Sequence, residues 1–158
     1  MWARLLDRAG GPASGALTAD PDLHLLLDGE RLDPIASSGG VYRFVVARPA
    51  GACLLLCSRA SVPSLMGLSR SDHRPLGVAI TQLVLEQRGI ATYLDYDQPQ
   101  FREAGCYKHE DGFCWTDGEF QVPPRFLPPL GCQITLTVHT HPNPDMRYPI
   151  RALVTQAA

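Results

Sequence analysis

Short apolar runs that alternate, glycine- and proline-rich breaks between them, and no long amphipathic helix predict an all-β fold. The expected form is an antiparallel two-sheet sandwich or jelly roll with little helix. A chain of 158 residues, 45% hydrophobic and 19% charged, is the size of one domain and can bury a core without crosslinks.

Residues 1–22 hold Gly-Pro and Gly-Ala clusters with no sustained period. They read as a flexible N-terminal arm in which Trp2, Leu5 and Leu6 can dock as a short helical turn. From Leu23 the texture changes, and residues 23–141 are expected to form the sandwich. LHLLLDGERLDPI (23–35) places Asp28-Gly29 between two apolar runs, a hairpin signal. VYRFVVA (41–47) alternates, with Tyr42, Phe44 and Val46 on one face and Val41, Arg43 and Val45 on the other. ACLLLCSR (52–59) is a continuous apolar run, suited to a strand covered on both faces. In LGVAITQLVLEQRG (76–89) helix competes, but Val78, Ile80, Thr81 and Val84 favour strand and Gly77 disfavours helix. IATYLDY (90–96) is a further short strand. FCWTDGEFQV (113–122) carries Asp117-Gly118 between aromatic arms and reads as a second hairpin. PPRFLPPLG (123–131) is a connection, and CQITLTVHTH (132–141) turns Ile134, Leu136 and Val138 inward. Residues 142–158, with Pro142, Pro144 and Pro149, form a Pro-rich tail or edge.

A formal charge of -2, with 14 Lys and Arg scattered along the chain, offers no basic patch, so no nucleic-acid partner is expected. No apolar run approaches the ~20 residues that span a bilayer. The first residues lack the apolar stretch of a secretory signal. The expectation is a cytoplasmic protein without membrane insertion. Five cysteines (53, 57, 106, 114 and 132) leave at least one unpaired. Cys53 and Cys57 share one face of a strand, roughly 13 Å apart at ~3.3 Å per residue, too far for a disulfide. With no C-x-x-C pair, the thiols are read as buried, reduced and apolar in character.

Three residue sets could carry chemistry. His139-Thr140-His141-Pro142 puts two imidazoles at i and i+2 of a strand, a way to present two metal ligands, and matches the H-x-H-P start of the JAMM metalloprotease motif. That motif also needs a downstream Ser and a metal-binding Asp. The stretch NPDMRYPIRALV has no Ser, and Asp145 comes too early, so exposed strand-end histidines are the simpler reading. Asp72 and Arg74, two apart before an apolar strand, can tether a loop through charge-assisted hydrogen bonds, with Arg59 able to join them. Glu110, Trp115 and Asp117 combine carboxylates with an aromatic face, residue types that suit a glycan. The alternative is a core Trp whose indole N–H is satisfied by Glu110. The G-x-S-x-G, G-x-G-x-x-G and P-loop motifs are absent, so no catalytic residue and no cofactor is assigned.

LHLLLDGERLDPI, CSRASVPSLMGLSRSDHRPLGVAITQLVL (57–85) and GCYKHEDGFCWTDGEFQVP (105–123) together resemble a poorly characterised bacterial β-sandwich module. It is found alone or appended to glycosyltransferases and Hint-domain proteins. The resemblance runs over residues ~23–140. It is carried by Ser58, Arg59 and Pro63, then Asp72, Arg74, Leu76, Gly77 and Val78, then Gly105, Glu110, Trp115 and Thr116. Cys106 departs from the aromatic expected there. The resemblance implies a non-catalytic, carbohydrate-associated accessory role, with a glycan or a polysaccharide-assembly enzyme as partner. The candidate ligand surface is Arg59, Asp72, Arg74, Glu110 and Trp115. The rival readings are a structural or protein-interaction domain without a small-molecule ligand, and a small metal-dependent hydrolase centred on His139 and His141.

Overall fold

The computed structural model describes residues 15–47, 53–127 and 132–150. They form antiparallel sheets in an all-β sandwich, with helix at only 6%, as the sequence predicts. The expected docking of Trp2, Leu5 and Leu6 lies outside the described residues.

The strands are β1 (Leu17–Thr18), β2 (His24–Leu27), β3 (Glu30–Leu32), β4 (Ala36–Ser38), β5 (Val41–Val46), β6 (Leu54–Cys57), β7 (Ala79–Gln87) and β8 (Ile90–Asp95). After the short helix α1 (Pro99–Glu103) come β9 (Cys114–Trp115), β10 (Glu119–Gln121), β11 (Ile134–Thr140) and β12 (Tyr148–Pro149). One sheet has the order β10-β6-β2-β3. The other runs β4-β5-β11-β7-β8, with β9 paired to β7, and β1 pairs with β12 in a small ribbon.

Alternation sets which face is inside. Phe44 and Val46 of β5, Leu83 and Leu85 of β7, and Ile134, Leu136 and Val138 of β11 point into one core. They meet Leu25, Leu56 and Phe120 from the four-stranded sheet there. The turn between β2 and β3 has positive φ at both Asp28 and Gly29, 49° and 86°, the type I′ geometry that two-residue hairpins favour. Arg88 and Gly89 repeat it between β7 and β8, at 48° and 78°. The competition between helix and strand over 76–89 resolves to the nine-residue strand β7, as its β-branched content requires.

One element differs from the sequence reading. Asp117-Gly118 does not close a hairpin: β9 pairs with β7 in one sheet and β10 with β6 in the other, so this turn carries the chain across the sandwich. The Asp-Gly signal reports the positive φ of Gly118, 109°, but not the partner of the strand that follows. Of the two readings offered for the C-terminal segment, tail or edge, its described residues take the edge. Tyr148 pairs with Thr18, and Met146 and Tyr148 join Leu76, Ala79 and Trp115 in a second buried cluster.

At the crossover three chain segments touch. The Gly77 N–H donates to the Thr116 carbonyl (2.8 Å), Thr116 N–H to the Val78 carbonyl (2.9 Å) and Ser58 N–H to the Gly118 carbonyl (2.9 Å). The buried Tyr148 hydroxyl donates to the Gly77 carbonyl at 2.8 Å. A Cβ on Gly77 would lie 2.5 Å from Thr116 Oγ1, 2.7 Å from Gly118 N and 2.7 Å from Ser58 Oγ. Two of those atoms belong to short side chains and one to backbone, so none can swing clear. Gly77→Ala is therefore expected to destabilise the fold by about 3 kcal/mol, the upper end of overpacking costs. A urea-unfolding midpoint equal to wild type would refute this account of the junction.

Candidate functional site

The segment between Ser58 and Val78 leaves β6 and returns to β7 through a loop pinched at its base. Ser61 and Leu76 exchange both backbone hydrogen bonds, at 2.8 and 2.7 Å. Within the loop Ser64 N–H donates to the Asp72 carbonyl (2.9 Å), and Asp72 N–H donates to Ser69 Oγ (3.1 Å). Ser64 Oγ and His73 Nδ1 lie 2.8 Å apart. These contacts aim the Asp72 carboxylate at Arg74. The pair is bidentate, Nε to Oδ1 at 3.0 Å and Nη2 to Oδ2 at 2.7 Å, and Oδ1 also accepts the Arg74 N–H at 3.1 Å. Arg74 Nη2 reaches Glu110 Oε1 at 3.5 Å, and the guanidinium sits 5.1 Å from the Tyr107 ring centroid, within cation–π range. Tyr107 donates its hydroxyl proton to the Pro75 carbonyl at 3.0 Å. Arg74 thus clamps the 62–75 loop to the 107–113 loop. Its hydrogen bonds hold the Asp72 carboxyl below the usual carboxylate range, and burial pushes the Tyr107 phenol up.

Of the five sequence candidates, Asp72, Arg74 and Glu110 therefore meet. Trp115 lies apart from their polar contacts. It is 6% exposed in the second cluster, with Phe113 edge-on to it at 5.9 Å, and offers no free ring face for a sugar. The Glu110 carboxylate is turned to Arg74, not to the Trp115 indole. Arg59 does not join the Asp72–Arg74 pair: its Nη1 donates to the Asp20 carbonyl (2.9 Å) and contacts the Asp20 carboxylate (3.3 Å). The surface beside Asp72 and Arg74 is lined by residues of one loop alone, Ser71 to Arg74, with no opposing wall.

His139 lies in β11 and His141 just beyond its end at Thr140, where the register against β7 shifts because β7 carries an extra residue, Thr81. His141 packs on Phe113, ring centroids 4.4 Å apart. Among the described residues no group of three or more His, Cys, Asp or Glu side chains could hold a metal ion. No helix among them is long and apolar enough to cross a membrane.

Arg59 instead borders a groove of about 650 Å³ on the outer face of the four-stranded sheet. Its floor is a row set by register: His24 opposite Cys57, and Cys57 opposite Glu119. Its walls come from Asp22, Arg59, Asp117, Pro149 and Ile150. His24 Nδ1 lies 2.6 Å from the Asp22 carbonyl. A carbonyl can only accept, so Nδ1 carries a proton and Nε2 is the nitrogen turned to the groove's other groups. The Asp22 carboxylate is paired with Arg31 at 2.7 Å, which holds its pKa down. Burial, and then the charge of Glu119, push the Cys57 thiol up, so this thiol is protonated at neutral pH and is no ready nucleophile. Sequence inspection missed His24, Cys57 and Glu119 because only strand register brings positions so far apart in the chain into one row.

Comparison with protein-family models, with curated proteins and with solved structures finds no match to this chain.

The clamp has a measurable signature. Arg74 is 39% and Asp72 23% exposed at the side chain, so solvent screening limits the pair, and Arg74→Ala is expected to cost about 1 kcal/mol or less at neutral pH. The double change with Asp72→Ala should cost less than the sum of the single changes, because both remove one interaction. The folded-state pKa of Asp72 is lowered, so its contribution is fully present above the unfolded value of ~3.9 and is lost as pH falls through the folded value. The stability gap between wild type and Arg74→Ala should then close as pH falls through the lowered Asp72 value. A gap that stays constant in acid would show that the loss is packing and not charge.

Proposed function

We propose that this domain is a non-catalytic, carbohydrate-associated module whose ligand lies along the groove of the four-stranded sheet, beside Arg59. The observation that carries the reading is that walled groove. Its polar groups are of the kinds that pair with hydroxyls: the Asp22, Asp117 and Glu119 carboxylates accept, Arg59 donates, and the His24 ring offers Nε2. Leu26, Pro149 and Ile150 supply apolar contact for the C–H faces of a sugar. The groove lacks an aromatic platform, so binding near the millimolar range is expected, roughly -4 kcal/mol.

A second reading, a structural or protein-interaction domain without a small-molecule ligand, is favoured by Trp115. Its burial, and the use of Gly77, Thr116 and Ser58 at the sheet crossover, account for much of the resemblance through packing alone.

Affinity electrophoresis through a panel of soluble neutral and acidic polysaccharides separates the two. On the binding reading, wild type is retarded by at least one glycan, and Glu119→Gln removes the retardation at unchanged melting temperature. Arg74→Ala lowers the melting temperature but leaves retardation of the folded protein intact. No retardation by any glycan would favour the second reading, and loss only with Arg74→Ala would move the site back to the Asp72 loop.

A further inference from the structure

Cys106 and Cys114 stand apart from the other three thiols. The segment around Cys106 lies antiparallel to β9 and its continuation: Cys106 bridges Thr116, and Tyr107 N–H donates to the Trp115 carbonyl at 2.9 Å. Cys106 and Thr116 therefore share a face, and Cys114, two residues from Thr116, lies on that face diagonal to Cys106. Both sulfurs are in the main core, with Cys106 at 8% and Cys114 at 1% exposure. The two thiols are near enough to perturb each other's ionisation, and the Cys114 sulfur lies 3.0 Å from the Tyr107 carbonyl, to which its S–H donates. By contrast, Cys57 is flanked in register by His24 and Glu119, Cys53 is exposed, and Cys132 lies against Arg88.

We propose that Cys106 and Cys114 are an oxidation site: a dithiol that closes to an intrachain disulfide and fixes the loop carrying Tyr107 and Glu110 against Arg74. The co-reactant class is a small disulfide such as oxidised glutathione. One protein thiolate attacks it, forming a mixed disulfide and releasing one glutathione thiol. The second protein thiolate then displaces the other glutathione. Two protein thiols give up two electrons and two protons, and one glutathione disulfide becomes two thiols. Cys106 meets β9 and its continuation through one isolated bridge and not a ladder, so its backbone can shift to close the bond. The Cys114 contact and burial keep the Cys106 thiol protonated at neutral pH, so closure is slow there and accelerates as pH rises.

The full chain is equilibrated across glutathione redox mixtures, natively and in urea, then acid-quenched, alkylated under denaturing conditions and mapped by mass spectrometry. The expected product has lost two hydrogens and carries one crosslink, Cys106 to Cys114. Its equilibrium constant should be at least about tenfold greater in the folded protein than in urea, roughly 30 mV in potential. A variant with Cys53, Cys57 and Cys132 all changed to Ser should keep the crosslink, and Cys106→Ser should abolish it. In the oxidised protein the amides of Tyr107 and Glu110 should exchange more slowly. An equal or smaller equilibrium constant in the folded state, or a native product dominated by any other pairing or by stable glutathione adducts, overturns the proposal. The triple variant carries the test if Cys106→Ser fails to fold.

Discussion

The sandwich depends on the space in which Gly77 meets Thr116, Gly118 and Ser58. There the chain entering β7, the turn leaving β9 and the end of β6 lie so close that no Cβ fits. Each sheet's pairing runs on into this junction, Gly77 to Thr116 continuing the β7–β9 pair and Ser58 to Gly118 the β6–β10 pair, and the two meet where Gly77 faces Ser58. The Thr116 hydroxyl oxygen accepts from Val78 N–H at 3.1 Å, and the side chain is 2% exposed. Each such bond adds only about 1 kcal/mol net, but a buried partner left without it costs about 1–3 kcal/mol. Shape is thus enforced more by the penalty for opening the junction than by the gain from closing it.

The charged residues nearby follow from that junction. The loop from Val62 to Pro75 must leave and return within it, and the Asp72–Arg74 pair with Glu110 and Tyr107 holds the excursion in one conformation. The pair is partly wet, so its energetic worth is modest. Its geometry is still specific, because a planar guanidinium bridging one carboxylate, reaching a second and covering an aromatic ring admits few alternatives. A residue pattern of this kind is easily taken for a binding site. Here it lacks a second wall, and its aromatic neighbour Trp115 faces Leu76, Met146 and Tyr148 instead of solvent.

Local periodicity made the inward faces of residues 41–46 and 134–138 legible in the sequence, and Asp28-Gly29 disclosed its own turn. These features depend on neighbours two to four residues apart. What escaped depends on partners far along the chain. Asp117-Gly118 announces a reversal but not that Glu119 will pair with Cys57 in the other sheet. The register shift after His139 is invisible to an alternation count, because it is set by how β7 meets β11. Trp115 could be read as platform or core, since residue type fixes its area and not its exposure. The groove was least legible of all: His24, Cys57 and Glu119 are 33 and 62 positions apart in the numbering, and each alone is an ordinary strand residue.

The two faces of the four-stranded sheet then differ in how fully folding accounts for them. On the inner face Leu25, Leu56 and Phe120 are packed to 2% exposure or less, and hydrophobic burial explains every choice. On the outer face Glu119 stands beside a buried thiol whose ionisation it opposes. Among the described residues its carboxylate takes no part in an ion pair or side-chain hydrogen bond. Asp117 caps the Glu119 N–H at 2.9 Å, and the His24 ring is oriented by a carbonyl, so neighbouring polar groups are positioned while Glu119 itself stays available. Glu119 is exposed and its thiol neighbour stays protonated at neutral pH, so folding neither requires nor penalises a carboxylate at this place in the groove. The outer face is therefore where the fold constrains residue identity least, and Glu119 is the side chain by which the proposed ligand-binding reading is tested.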